Sequence, residues 1–466
     1  MNKAWWNEFL CILCLGVATM CLMTGYDTQS FIVESILHSV HMREPSSMDK
    51  HAGYYGQSML YAAYTLSTLF APWACYQIGS KWTLFAGSAL FTVYQAGFFM
   101  LNSYYYYVSQ ALMGIGFAMY YCGQGLYMSE HSTRASIARN STLVSAIGNC
   151  SMLVGGVVMF IIFYIREQNK GANEMPSAID TPIYRNFLNN EIYIIYGVLL
   201  TFSLVSNAIF AGISTKKIDG CEKLENIDKS TFRTQLANII DTAREPRMIL
   251  LSSFFAFYGF SVSYWLGSYP TTFAFSKALS KNVYLPAYYS FMVGLGSVTV
   301  GFYIAIFDKW FPNFGLIPTM VTEILLSVLM YFLTIASTAN LSTIQTTDDM
   351  SMWITPSVTV CCILGLLNGA IDCCSCTMRA LICTIAVPRK RLQAYSLAKL
   401  YQSAASCAAY FLSPHLTVRS WMMVLAGIQV FSSVGFIIVS KQILKEELIQ
   451  KEGRRTCSQN KIRPAV

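Results

Sequence analysis

The stretch "TKKIDGCEKLENIDKSTFRTQLANIIDTAREPR", residues 215–247, is the only long polar run in a chain of 466 residues. On either side of it, apolar runs of about 20 residues recur to both ends, the length a helix needs to cross a bilayer. Before it the runs lie near 9–33, 54–77, 82–101, 106–128, 141–165 and 192–214. After it they lie near 248–273, 284–306, 314–337, 353–378, 394–414 and 418–440. Composition agrees: 54% of residues are hydrophobic and 12% charged, with mean hydropathy +0.44. A soluble domain carries about 25% charged residues. The expectation is an all-α polytopic membrane protein of twelve spans.

Two six-helix halves, related by an axis along the membrane normal and joined by a long loop, describe the major facilitator architecture. The expected organisation is a bundle over 1–214, a cytosolic loop over 215–247, a second bundle over 248–441 and a cytosolic tail over 442–466. Very short turns at 78–81, 102–105 and 415–417 force antiparallel neighbours. Lys and Arg near the span ends favour one side by roughly two to one, which puts both termini in the cytosol. No cleavable signal peptide is expected, because the first apolar run follows "MNKAWWNE" and outlasts a signal core. The protein is expected in the plasma membrane or an endomembrane. The net charge of +8 needs no nucleic acid; basic turns and tail set topology and meet anionic headgroups.

Most of the 15 cysteines fall inside apolar runs and read as buried thiols acting as small hydrophobes. Cys373, Cys374 and Cys376 have no partner His, so no metal is expected there. No nucleophile–base constellation stands out, and neither an enzyme nor a cofactor is expected.

The informative residues are polar ones inside the spans. "AYSLAKLYQSAASCAAYFL", 394–412, places Lys399, Gln402, Ser403, Ser406 and Tyr410 along one helical stripe. The preceding span carries Asn368, Asp372, Ser375 and Arg379 on one face. An ionised group in hydrocarbon costs about 2.5–3.5 kcal/mol on insertion scales, so it turns toward protein or water. Antiparallel neighbours bring Asp372 and Lys399 to similar depth, and a direct or cavity-bridged pair is the economical arrangement. Two alternatives stand: Lys399 snorkels to the nearby "PRKR" turn, or Arg379 takes Asp372. The first half repeats the pattern without charge: Gln124 stands where the second half has Asp372, and Ser141, Ser145 and Asn149 share a face. Ordinary interhelical hydrogen bonding explains such stripes equally well. Glu323 is a mid-span acid with no evident partner and a candidate protonatable site. Asp27 and Glu34 read as wet residues near the outer end of span one. Asn340 opens a glycosylation sequon in an outer loop.

These motifs carry a family resemblance. "LFAPWACYQIGSKWTLFAGS" (69–88), "GQGLYMSEHSTRASIARNS" (123–141), "YGFSVSYWLGSYPT" (258–271), "GLLNGAID" (365–372) and "AYSLAKLYQSAASCAAYF" (394–411) are similar to the ion-channel-regulatory "uncoordinated ninety-three" branch of the major facilitator superfamily. The resemblance implies a twelve-helix facilitator fold and a membrane-protein partner, such as a potassium channel. Gln124, Asn140, Asp372, Lys399 and Gln402 are the positions it supports. Facilitator transporters carry Gly-x-x-x-Asp-Arg-x-Gly-Arg-Lys after span two. Here Gly79 and Lys81 of that gate loop remain, while Pro72 and Tyr76 replace the first glycine and the acid. The leading expectation is a regulatory subunit or escort of other membrane proteins. The alternative is a secondary active transporter of a small solute, proton-coupled in one version.

Overall fold

The computed structural model describes residues 3–133, 136–173, 187–216, 232–311, 313–388 and 390–460. In lipid every backbone polar group must be satisfied within the chain, and an apolar sequence of this length answers with helices. The first half contains α1 (Lys3–Ser30), α2 (Val33–Arg43), α3 (Ala52–Ser67), α4 (Ala71–Ile78), α5 (Ser80–Ala96), α6 (Ser103–Glu130), α7 (Ile137–Asn149), α8 (Ser151–Asn173) and α9 (Asn189–Gly212). An amphipathic surface helix, α10 (Phe232–Ala243), follows. The second half contains α11 (Pro246–Ser263), a π turn (Tyr264–Ser268), α12 (Tyr269–Phe275), α13 (Lys277–Ser280), α14 (Leu285–Trp310), α15 (Ile317–Ser337), α16 (Val358–Ile385), α17 (Arg391–Leu412) and α18 (Val418–Asn460).

Among the described residues, eight helical stretches are long and apolar enough to cross a bilayer. Further helical passes lie between them. α3 with α4 is broken at 68–70, α5 is 17 residues long, and α6 and α17 carry more polar groups. Local chemistry sets the ends. Asn102 Oδ1 accepts from Tyr104 N at 2.9 Å to start α6, and prolines open α11 and α14. Gly79, at φ 85°, makes the sharp reversal between α4 and α5 that a side chain would resist.

Packing repeats. In the first half α1 lies against α7, α8 and α9, while α3 and α5 lie against α6. In the second, α11 lies against α17 and α18, while α14 and α15 lie against α16. The halves meet reciprocally, α8 on α14 and α3 on α17, as a two-fold axis requires.

One end of the molecule bears both chain ends; the other is called the far face. Near the far face the halves share one core, which includes Phe31, Tyr61, Trp265, Tyr289 and Tyr410. Tyr54 Oη donates across it to Thr271 Oγ1 (3.1 Å) and to the Thr343 carbonyl (2.9 Å). Toward the termini-bearing face the second half keeps a separate core, around Phe254, Met320, Met378 and Phe436. There α10 bridges the halves: Phe232 stacks on Phe70 at 4.9 Å, and Lys390 pairs with Asp241. Between the halves Asp372, Arg379, Lys399 and Gln402 keep partial exposure.

Candidate functional site

Asp372 and Arg379 lie seven residues apart on α16, which is nearly two turns. They share a face and stand about 10 Å apart along the axis. Both are half-buried, as are Lys399 and Gln402 on α17. Arg379 donates from Nη1 to Gln402 Oε1 and from Nη2 to Cys376 Sγ (3.5 Å), and its guanidinium lies 4.7 Å from the centre of the Tyr258 ring. Lys399 Nζ sits 4.0 Å from the centre of the Tyr121 ring, which belongs to α6 in the other half. A cation over a tyrosine face gains about 0.5–2 kcal/mol from the ring quadrupole.

The direct Asp372–Lys399 pair expected from depth is not formed. Among the described residues no carboxylate lies within 4.0 Å of Lys399 Nζ. Equal depth does not give equal azimuth: α17 spends its contact surface on α11 and α3, touches α16 lightly, and turns Lys399 across the interface. Among the described residues Asp372 has no cation within 4.0 Å, so Arg379 does not take it either.

Asp27 joins this region. The sequence puts it near an outer end, but the pass continues from α1 through the break at 31–32 to Arg43. Asp27 is therefore deep in the molecule. It accepts from Ser151 Oγ at 2.9 Å, and Phe31, one turn further on, packs against Tyr289 of α14, the residue to which Asn368 of α16 donates. Glu34, also expected to be wet, is buried; it accepts from Tyr54 N at 3.0 Å and lies 3.3 Å from His51 Nδ1. The interior charges are thus sorted by sign. Asp27 and Asp372 form one layer, and Arg379 and Lys399 form another nearer the termini-bearing face. Sequence reasoning missed Asp27, Tyr121 and Tyr258 as members. An acid inside an apolar run signals the first, and nothing in the sequence distinguishes the tyrosines from interfacial ones.

The other candidates lie elsewhere. Gln124 lies beside the Tyr120 hydroxyl. Asn140 does not line the central region. It donates to Glu8 Oε1 (2.6 Å) and Ser132 Oγ (2.9 Å) in a buried network at the termini-bearing end. Ser145 and Asn149 are exposed and take no part in the cluster's contacts. Asn368 is buried and donates to Tyr289 Oη at 3.2 Å; Ser406 donates to the Gly259 carbonyl at 3.0 Å. Both knit helices together. Glu323 does have a partner: it is fully buried and accepts from Ser375 Oγ, between α15 and α16. Lys81 lies 5.5 Å from the centre of the Trp82 ring, and the Glu130 carboxylate near the gate loop accepts from Ser80 Oγ. Asn340 Oδ1 accepts from Arg419 N at 3.1 Å, and the Ser342 hydroxyl of its sequon is buried. Among the described residues, no group of three or more His, Cys, Asp or Glu is arranged to hold a metal ion.

Residues 44–437 match the family described as ion channel regulatory protein UNC-93. The UNC93-like protein MFSD11 of Xenopus laevis is 24% identical over 460 residues, covering 95% of this chain and 98% of that protein. UNC93-like protein 1 of Arabidopsis thaliana is 24% identical over 224 residues, covering 46% of this chain and 45% of that one. Among solved structures, a peptide transporter POT superposes with TM-score 0.62 at 13% identity, covering 92% of this chain and 93% of that one. The nucleoside transporter NupG superposes with TM-score 0.60 at 11% identity, covering 92% and 99%. These likenesses show the major facilitator fold.

Proposed function

We propose that this chain, which belongs to the UNC-93 ion channel regulatory protein family, acts on another membrane protein as a regulatory subunit or escort. An ion channel is the partner class the family description favours, and a potassium channel is the candidate taken here. The observation that carries the reading is the family match across 44–437. The gate loop supports it: Tyr76 stands where facilitator transporters have an acid, and Lys81 lies against Trp82. The test is co-purification with a channel, with channel current and surface level measured in the presence and absence of the chain. Unchanged current and surface level would sink it.

The interior charges favour a second reading, a secondary transporter. Asp27, Asp372, Arg379 and Lys399 occupy the interface whose opening and closing would expose them in turn, which is the part that alternating access requires. Gln124 and Gln402 would complete the polar lining. In this reading the carboxylates carry a proton or a solute's positive group. Uptake by purified protein in liposomes tests it, and no uptake across a broad solute panel would end it. Under either reading both termini lie in the cytosol, and 215–247 is the cytosolic loop joining a bundle over 1–214 to one over 248–441.

A further inference from the structure

We propose that the interface between the halves binds an extended zwitterion, its carboxylate at Arg379 and Lys399 and its ammonium at Asp27 and Asp372. The inference deepens the transporter reading and rests on it. Asp27, Asp372, Arg379 and Lys399 lie between the halves, and among the described residues none of these four has an opposite charge within 4.0 Å. They are sorted by sign instead of paired. Asp27 and Asp372 stand at one depth: Phe31, one turn beyond Asp27, and Asn368, one turn before Asp372, both meet Tyr289. Arg379 and Lys399 gather at Gln402, which accepts from Arg379 and follows Lys399 by one turn. Like charges held together away from bulk water are stabilised by an opposite charge brought to them.

A lone anion would satisfy the cations and leave two carboxylates facing each other. A lone cation would do the reverse. A molecule with both charges satisfies both layers and adds no net charge to the interior.

Length follows from the helix. Asp372 and Arg379 are separated by about 10 Å of axial rise. The reach of the side chains shortens the span a ligand must bridge, and an α-amino acid is still too short to touch both layers. The middle is set by tyrosines: Tyr121 lies against Lys399, and Tyr258 lies against Arg379. Their rings favour an apolar spacer between the charged ends. Partial exposure of Arg379, Lys399 and Gln402 gives an approach from the termini-bearing face. The carboxylate layer would be reached last.

The test is thermal unfolding of the purified full chain in detergent with ε-aminocaproate, hexanoate, hexylamine and glycine at equal concentration. ε-Aminocaproate should raise the midpoint by about 2 °C or more at saturation, and the other three should not. Lys399→Met and Asp27→Asn should each remove the shift, and Asp308→Asn, on an exposed helix end, should keep it. If a variant does not fold, the comparison of probes on the parent chain still decides. An equal shift with hexanoate or hexylamine would replace the zwitterion by a simple anion or cation. An equal shift with glycine would show that span is not read. No shift with any probe would overturn the inference. In that event liposome uptake with a broader panel judges the transporter reading separately.

Discussion

Replacing Gly369 by alanine tests the packing that holds the second half together. α14 and α16 cross with backbone against backbone. A Cβ at position 369 would sit 1.9 Å from the Val293 carbonyl oxygen and 2.7 Å from its carbon; one at Gly296, on the partner helix, would sit 2.1 Å from the Leu366 oxygen. A carbon–oxygen contact relaxes at about 3.3 Å, so the new methyl is short by about 1.4 Å. The obstacle is main chain, which no rotamer change removes, and the helices must part. Overpacking costs about 1–3 kcal/mol, and a backbone obstacle belongs at the upper end. Gly427→Ala is the control: it lies in α18 with nothing within 4 Å of its Cβ, and relief of glycine's backbone entropy should stabilise it by about 0.5–1 kcal/mol. Melting of the full chain, followed by the monodisperse fraction on size exclusion after heating, should place Gly369→Ala well below the parent and Gly427→Ala at or above it. A Gly369→Ala protein that melts with the parent would refute the close crossing.

Glu323→Gln should keep the contact with Ser375 and melt within about 1 kcal/mol of the parent, whereas Ser375→Val, which strands a buried acid, should lose about 1–3 kcal/mol. Equal losses would mean that the charge itself is needed. Asn340 should carry no glycan, because its amide oxygen holds the start of α18 and the sequon hydroxyl is buried; a mobility shift on enzymatic deglycosylation would contradict this. The Lys390–Asp241 contact holds the Asp241 carboxyl below its usual range and Lys390 above its own. The aspartate's contribution is present above the unfolded value of about 3.9 and fades as pH falls through the lower folded value. The lysine's contribution is present below about 10.4 and fades as pH rises through the higher folded value. Limited proteolysis around α10 should therefore be flat from pH 5 to 9, and Lys390→Ala should speed cleavage; a mid-range pH step would point to a different titrating group.

The helical passes and the division into halves are legible because a bilayer allows an apolar run few alternatives. The same runs show that Asp372, Arg379, Glu323 and Lys399 need company. They do not show whose. Lys399 meets Tyr121 from the other half because docking of the halves is set by shape over the whole interface, which no local pattern records. The break at 31–32 hides the true depth of Asp27, since polar α2 looks like a loop although its residues 33–40 are buried. The stripe Ser141, Ser145, Asn149 has the right period, yet its side chains are exposed; period identifies a face and not what covers it.

The most direct measurement sets the parent chain beside Asp372→Asn and Lys399→Met variants that fold and reach the membrane at parental level. Potassium-channel current and surface abundance would be recorded in the same cells. If the sign-sorted interior is the functional centre, both variants lose the parent's effect while their amounts hold. Full effect from both, at equal abundance, would contradict it.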